Sequence, residues 1–132
     1  FVDVGNASRS QMAQAYALIA GFHAESAGTF PSMRLTEETL HVMKQQGIDL
    51  SDFRPKPLDT RRLGAFDRVI TFGNALPRHL AGDVPLDSWN TLDPQGLPLD
   101  AFLQARRDIE RRVKELARRH GVKRPETVLL TP

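Results

Sequence analysis

A chain of 132 residues, 40% hydrophobic and 26% charged, has the length and apolar content of one globular domain spanning residues 1–132 rather than two. It contains no cysteine, which excludes disulfides, thiolate metal sites and a cysteine nucleophile of its own. The net charge is only +2, and no run of about 18 apolar residues is present to cross a membrane.

The start lacks the charged-then-apolar pattern of a secretion signal, so a cytoplasmic protein with no membrane contact is expected. The chain opens at Phe1 rather than Met, so a few residues upstream of it are also expected. His23, His41, His79 and His120 stand far apart and match no metal-ligand spacing. Neither a metal nor another cofactor is therefore expected.

Phe1–Val4 is a short apolar run stopped by Gly5 and reads as a strand end. From Ser10 to Ala20 good helix formers dominate, and Gly21 is placed to end the helix. Residues 22–27 alternate apolar and polar, which predicts a second strand closed by Gly28. Thr36, followed by Glu37 and Glu38, predicts a capped helix with Leu40, Val42 and Met43 buried and Gly47 at its end. Pro55 and Pro57 keep residues 48–56 out of helix. A short helix is predicted over 59–65.

Arg68–Phe72 is the strongest strand signal, with three β-favouring residues together. One or two helical turns interrupted by Pro77 fall in 74–80, and a fourth strand in 86–90. The last helix is the clearest. Phe102, Ala105, Ile109, Val113, Leu116 and His120 keep helical spacing over five turns, and Gly121 follows. Val128–Leu130 is a small apolar stretch able to pack or pair. Strand and helix alternate, so the expected fold is α/β, a three-layer sandwich on a four-stranded parallel sheet with right-handed crossovers.

Residues 101–124 hold nine Lys or Arg against three acids, a net +6 that leaves the rest of the chain at −4. Such a face can bind nucleic acid or an acidic partner. No aromatic residues are interleaved, so nucleic acid is not the expected partner, and a solvated helix face is the plainer reading.

The chemistry is expected in Asp3-Val4-Gly5-Asn6-Ala7-Ser8-Arg9-Ser10, between the first strand and first helix. Gly5 supplies permissive torsions and Asn6 tolerates left-handed ones. Successive loop N–H groups and the helix N-terminus can form an anion nest. Arg9 adds a planar fork for oxyanions, and Ser8 and Ser10 add hydroxyls. Taken alone, the same residues also fit a plain βα turn with a surface arginine.

Val2 to Ala13 resembles the phosphate loop of low-molecular-weight protein tyrosine phosphatases and thioredoxin-coupled arsenate reductases, which carry Cys-x5-Arg-Ser there. Further segments resemble the same family in order: Ser26-Ala27-Gly28-Thr29, Gly47-Ile48-Asp49-Leu50, Arg54–Leu58, Phe66–Thr71 and Trp89-Asn90-Thr91-Leu92-Asp93-Pro94. The resemblance implies a low-molecular-weight phosphatase-like fold. It implies an oxyanion-binding loop of Val4, Gly5, Asn6, Ala7, Ser8, Arg9 and Ser10, with Arg9 clamping the oxyanion and Ser10 donating to the nucleophile position. Asn6 would support the loop with Ser26, and Asp93 would be the general acid. The tyrosine pair of the phosphatase branch is missing after Asp93, and the tryptophan before it is more like the reductase branch.

The pattern breaks at the nucleophile. Six residues before Arg9 stands Asp3; the second loop cysteine falls at Ser8, and the redox cysteines fall near Gly73 and Leu80. Four different residue types at these places suggest natural loss. Thiol relay and thiolate hydrolysis are thereby excluded. Three functions remain open. One is a pseudoenzyme that binds phosphate, a similar oxyanion or a phosphorylated partner, with the Asp3 carboxylate itself able to take up loop N–H groups. Another is a phosphatase with Asp3 as nucleophile and Asp93 as acid. The third is an interaction module using the basic C-terminal helix.

Overall fold

The computed structural model describes residues 1–132. Four parallel strands, β1 (Val2–Asp3), β2 (Ala27–Gly28), β3 (Val69–Phe72) and β4 (Leu86–Trp89), lie in the order β2-β1-β3-β4. The three α-helices are α1 (Arg9–Ala20), α2 (Glu37–Lys44) and α3 (Leu99–Arg119). Short 3-10 helices cover Thr60–Ala65 and Arg78–Leu80.

Alternation along β3 separates the two faces of the sheet. Ile70 and Phe72 join the larger core with Met12, Tyr16, Val42, Met43, Phe102, Ile109 and Val113, so all three α-helices contribute to one face. Val69 joins Val2, Leu63, Leu76, Ala81 and Val84 on the other, where 3-10 turns and loops form a thinner third layer. Helix α1 is the central element: Ser10 through Ala17 are all buried. It ends at Gly21, whose φ of 113° lets its N–H reach the Ala17 carbonyl.

Two predicted elements differ from the observed ones. The second strand is only Ala27–Gly28, not 22–27. Val2 pairs with Ala27 and Asp3 with Gly28; before them the Glu25 carbonyl accepts from the Phe1 nitrogen at 2.9 Å, and Phe22 and Ala24 pack on the core. In the segment 74–80 only Arg78–Leu80 is helical, following Pro77. The stretch near the C-terminus packs rather than pairs: Leu130 lies against the large core and the Thr131 carbonyl accepts from Gln14 Nε2 at 2.9 Å. No helix is long and apolar enough to cross a membrane.

Candidate functional site

The segment Asp3–Ser10 leaves the carboxyl end of β1 and enters α1, the place where parallel α/β sheets gather their ligands. Its turn is made by Asn6, the one non-glycine residue with positive φ, at 50°. Gly5 does not adopt a positive φ; a Cβ there would stand 2.8 Å from Ser32 Oγ, and the Ser32 side chain would have to turn aside. A Cβ on Gly28 would meet the Val4 carbonyl at 2.6 Å, so β2 can lie this close to the loop only with glycine.

Asp3 is 5% exposed and aims its carboxylate into the curl of the loop. Its Oδ1 accepts the Asn6 N–H at 2.7 Å and the Ser10 hydroxyl at 2.8 Å, and its Oδ2 accepts the Ser10 N–H at 3.1 Å. The N–H groups of Val4, Gly5, Ala7, Ser8 and Arg9 donate to no acceptor of the chain. The loop is therefore half engaged: its own aspartate takes the Asn6 and Ser10 amides, and the others are unclaimed.

Asn6 is the support of the loop. Its Nδ2 donates to Ser10 Oγ at 2.7 Å and Ser26 Oγ at 2.9 Å; its Oδ1 accepts from Gln11 Nε2 and from the Lys56 N–H, each at 2.9 Å. The main-chain donor Lys56 fixes which end of the amide is oxygen. Behind it, Ser26 Oγ donates to Gln14 Oε1 at 2.5 Å, and Lys56 Nζ lies 3.4 Å from Ser26 Oγ. Burial, opposed by Glu25, lowers the Lys56 pKa from its ordinary value. The Ser8 hydroxyl is directed away from the loop's interior: it accepts from Thr39 Oγ1 of α2 at 2.8 Å, which ties the loop to α2.

Arg9 lies across the mouth. Its Nη1 donates to the Thr91 carbonyl at 2.9 Å, its Nη2 is 3.6 Å from Asp93 Oδ2, and its guanidinium sits 5.2 Å from the centre of the Phe72 ring. Asp93 is half exposed and also accepts the Gln95 N–H at 3.2 Å. The loop carrying Asp93 is fastened to α3, where Asp108 Oδ2 accepts from Thr91 Oγ1 at 2.6 Å and from Arg112 Nε at 2.9 Å. Asp3, Arg9 and Asp93 thus belong to one locality, with Asn6, Ser10 and Ser26 beneath it.

Sequence reasoning missed Gln11, Gln14, Lys56 and Asp108. Gln11 and Gln14 are buried polar residues on a helix face, and their type alone suggests a surface. Asp108 carried a usable signal, since Arg111 and Arg112 follow it at helix-contact spacing. The same spacing thins the basic face: Arg111 and Arg112 pair with Asp108, Lys114 with Glu110, and Arg118 with Glu115. Arg106 is buried and donates to the Val42 carbonyl. No cluster of three or more His, Asp or Glu side chains is arranged to hold a metal ion.

The fold and this βα loop define a phosphatase-type α/β domain. The low molecular weight phosphotyrosine protein phosphatase family matches residues 1–126, and the chain belongs to that family. A protein of Halobacterium salinarum, provisionally named an arsenate reductase, is 35% identical over 124 residues, covering 88% of this chain and 87% of the relative. Among solved structures, an arsenate reductase in the phosphate binding state is 29% identical with a TM-score of 0.80, covering 90% of this chain and 95% of that one. A low molecular weight protein tyrosine phosphatase from T. tengcongensis is 25% identical, also with a TM-score of 0.80, over 90% of this chain and 96% of its own.

Proposed function

We propose that this protein binds a tetrahedral oxyanion on the loop Val4–Ser10 and carries out no thiol-dependent turnover. The observation that carries the reading is the set of N–H groups at Val4, Gly5, Ala7, Ser8 and Arg9 that find no acceptor within the chain at the N-terminus of a 12-residue helix. Unclaimed amides beside the positive end of a helix favour an anion. Arg9 would complete the site from its mouth, since one Nη donates to Thr91 while the remaining guanidinium N–H groups face no closer acceptor than Asp93. A relative of the same fold takes phosphate. Family membership supports a site at this place, and the carboxylate of Asp3, in the position that the family motif gives to sulfur, supports binding without thiolate attack.

The phosphatase reading, with Asp3 as nucleophile and Asp93 as acid, asks Asp3 to attack while holding three hydrogen bonds that lower its electron density. On the interaction-module reading, Arg111, Arg112, Lys114 and Arg118 are engaged in ion pairs within α3 and Arg106 is buried, which leaves Arg107 and Arg119 as the unpaired exposed cations of that helix. Calorimetric titration with phosphate and arsenate tests the proposal. Binding at or below millimolar anion that disappears in Arg9→Ala is expected. Absence of any heat or competition at that concentration would reject the proposal. Hydrolysis of an aryl phosphate above the buffer blank, lost in Asp3→Asn, would replace it with the phosphatase reading.

A further inference from the structure

The Asp3 carboxylate is not saturated. An ionised carboxylate offers about four acceptor positions, and here Oδ1 receives two donors but Oδ2 only one. Donors from residues three and seven positions further along the chain both reach this carboxylate, so the loop curls around it. An anion seated on the unclaimed loop amides would lie beside this carboxylate, whose Oδ2 has the greater unused acceptor capacity.

We infer that the site, if it binds oxyanions as proposed above, selects those that still carry a proton, hydrogen phosphate and hydrogen arsenate, over sulfate and over phosphomonoester dianions. A proton-bearing anion donates an O–H to Oδ2 and completes the carboxylate. A fully ionised anion turns only acceptor oxygens towards a buried negative group, and neither partner then has a hydrogen to share. Sulfate holds no proton at neutral pH. A phosphomonoester, with a second pKa of about 6, has lost its own by about pH 7.5, so the occupant is a free inorganic oxyanion and not a phosphorylated protein. The other charged side chains around Asp3 are Arg9 and Asp93 at the mouth, with Lys56 and Glu25 behind the loop. Hydrogen phosphate, sulfate and phenyl phosphate are all dianions, so these groups act on the three in the same sense and cancel in their comparison.

The test is calorimetry at pH 7.5 with phosphate, sulfate and phenyl phosphate on the native chain and on Asp3→Asn. Phosphate is expected to bind on the order of 100-fold more tightly than sulfate or phenyl phosphate. In Asp3→Asn, whose amide can donate to any anion, the gap is expected to narrow to about threefold. Arsenate against selenate on the native chain repeats the comparison without a variant, and arsenate is expected to win by a similar factor. Equal affinity for phosphate and sulfate would overturn the selectivity and leave the oxyanion reading intact. No binding of any anion by either protein would remove both.

Discussion

Ser10 gives both its N–H and its hydroxyl to the carboxylate of Asp3, at 3.1 and 2.8 Å. The end of β1 is thereby locked to the first turn of α1, and a negative group lies at the positive end of the helix. Removing the carboxylate strands three buried donors, whereas removing the hydroxyl leaves the amide bond in place. Asp3→Ala should cost about 2–4 kcal/mol in urea unfolding, and Ser10→Ala about 1–2 kcal/mol. Equal losses for the two variants would show that the carboxylate does not hold the loop.

Asn6 combines a left-handed backbone with a fully used side-chain amide. Asn6→Ala forfeits the hydrogen bonds and strains the backbone. Asn6→Gly forfeits the same bonds but relieves the torsion. Both should be destabilised by on the order of 3 kcal/mol, with alanine about 1 kcal/mol worse. A glycine variant as stable as the native chain in denaturant melts would mean that the amide network contributes nothing.

What the sequence made legible, and what it hid, follows from range. Val69–Phe72 and α3 are visible because a strand and a helix print their own periods. The loop is visible because Asn6 meets a torsional demand that few residue types tolerate. The short β2 is not, because its length depends on which residues of β1 lie beside it, a property of a distant segment. Gln11 and Gln14 are hidden for the same reason: their acceptors and donors come from Asn6, Arg54, Ser26 and Thr131. Gly5 shows a third case, in which the residue was expected for its torsions but has no positive φ and instead lies close beneath the Ser32 side chain.

Arg106 is buried in α3 and donates to the Val42 carbonyl at 2.8 Å and to Gln45 Oε1 at 3.1 Å. It closes the C-terminal end of α2, where carbonyls lack helical partners. Arg106→Ala should cost about 2–4 kcal/mol, and Arg106→Lys should recover less than half of that, because both bonds are made by Nη1 at the far end of the guanidinium, one atom beyond the reach of a lysine ammonium. Thermal unfolding reads both. Full recovery by lysine would reduce the contact to a matter of charge alone.

Asp108 connects stability to pH. Burial would raise its pKa, but hydrogen bonds from Thr91, Arg112 and Arg111 outweigh it and hold the carboxyl below 3.8. A depressed carboxylate stabilises the fold above its unfolded pKa and loses that contribution as pH falls through the folded value. The native chain should therefore lose stability on acidification below about pH 4. Asp108→Asn should show a shallower acid limb and a lower plateau at pH 7. Parallel acid limbs in urea melts at pH 3 and 7 would remove Asp108 from the acid response.

Asp3→Cys asks whether the loop lacks only its sulfur. A thiol at this position would face the Ser10 hydroxyl and the loop amides that now surround the carboxylate, and such surroundings favour the thiolate. Arg9 and Asp93 are already in place at the mouth, 3.6 Å apart. The variant should hydrolyse an aryl phosphate faster than the native chain, and adding Asp93→Asn should reduce its kcat by about 100-fold or more, because the leaving oxygen then has no acid. A leaving group of low pKa should rescue that second loss, which separates proton donation from simple damage to the loop. If Asp3→Cys is no faster than the native chain, the loop cannot position a phosphoryl group for attack, and its divergence from the enzymes of its family extends beyond one atom.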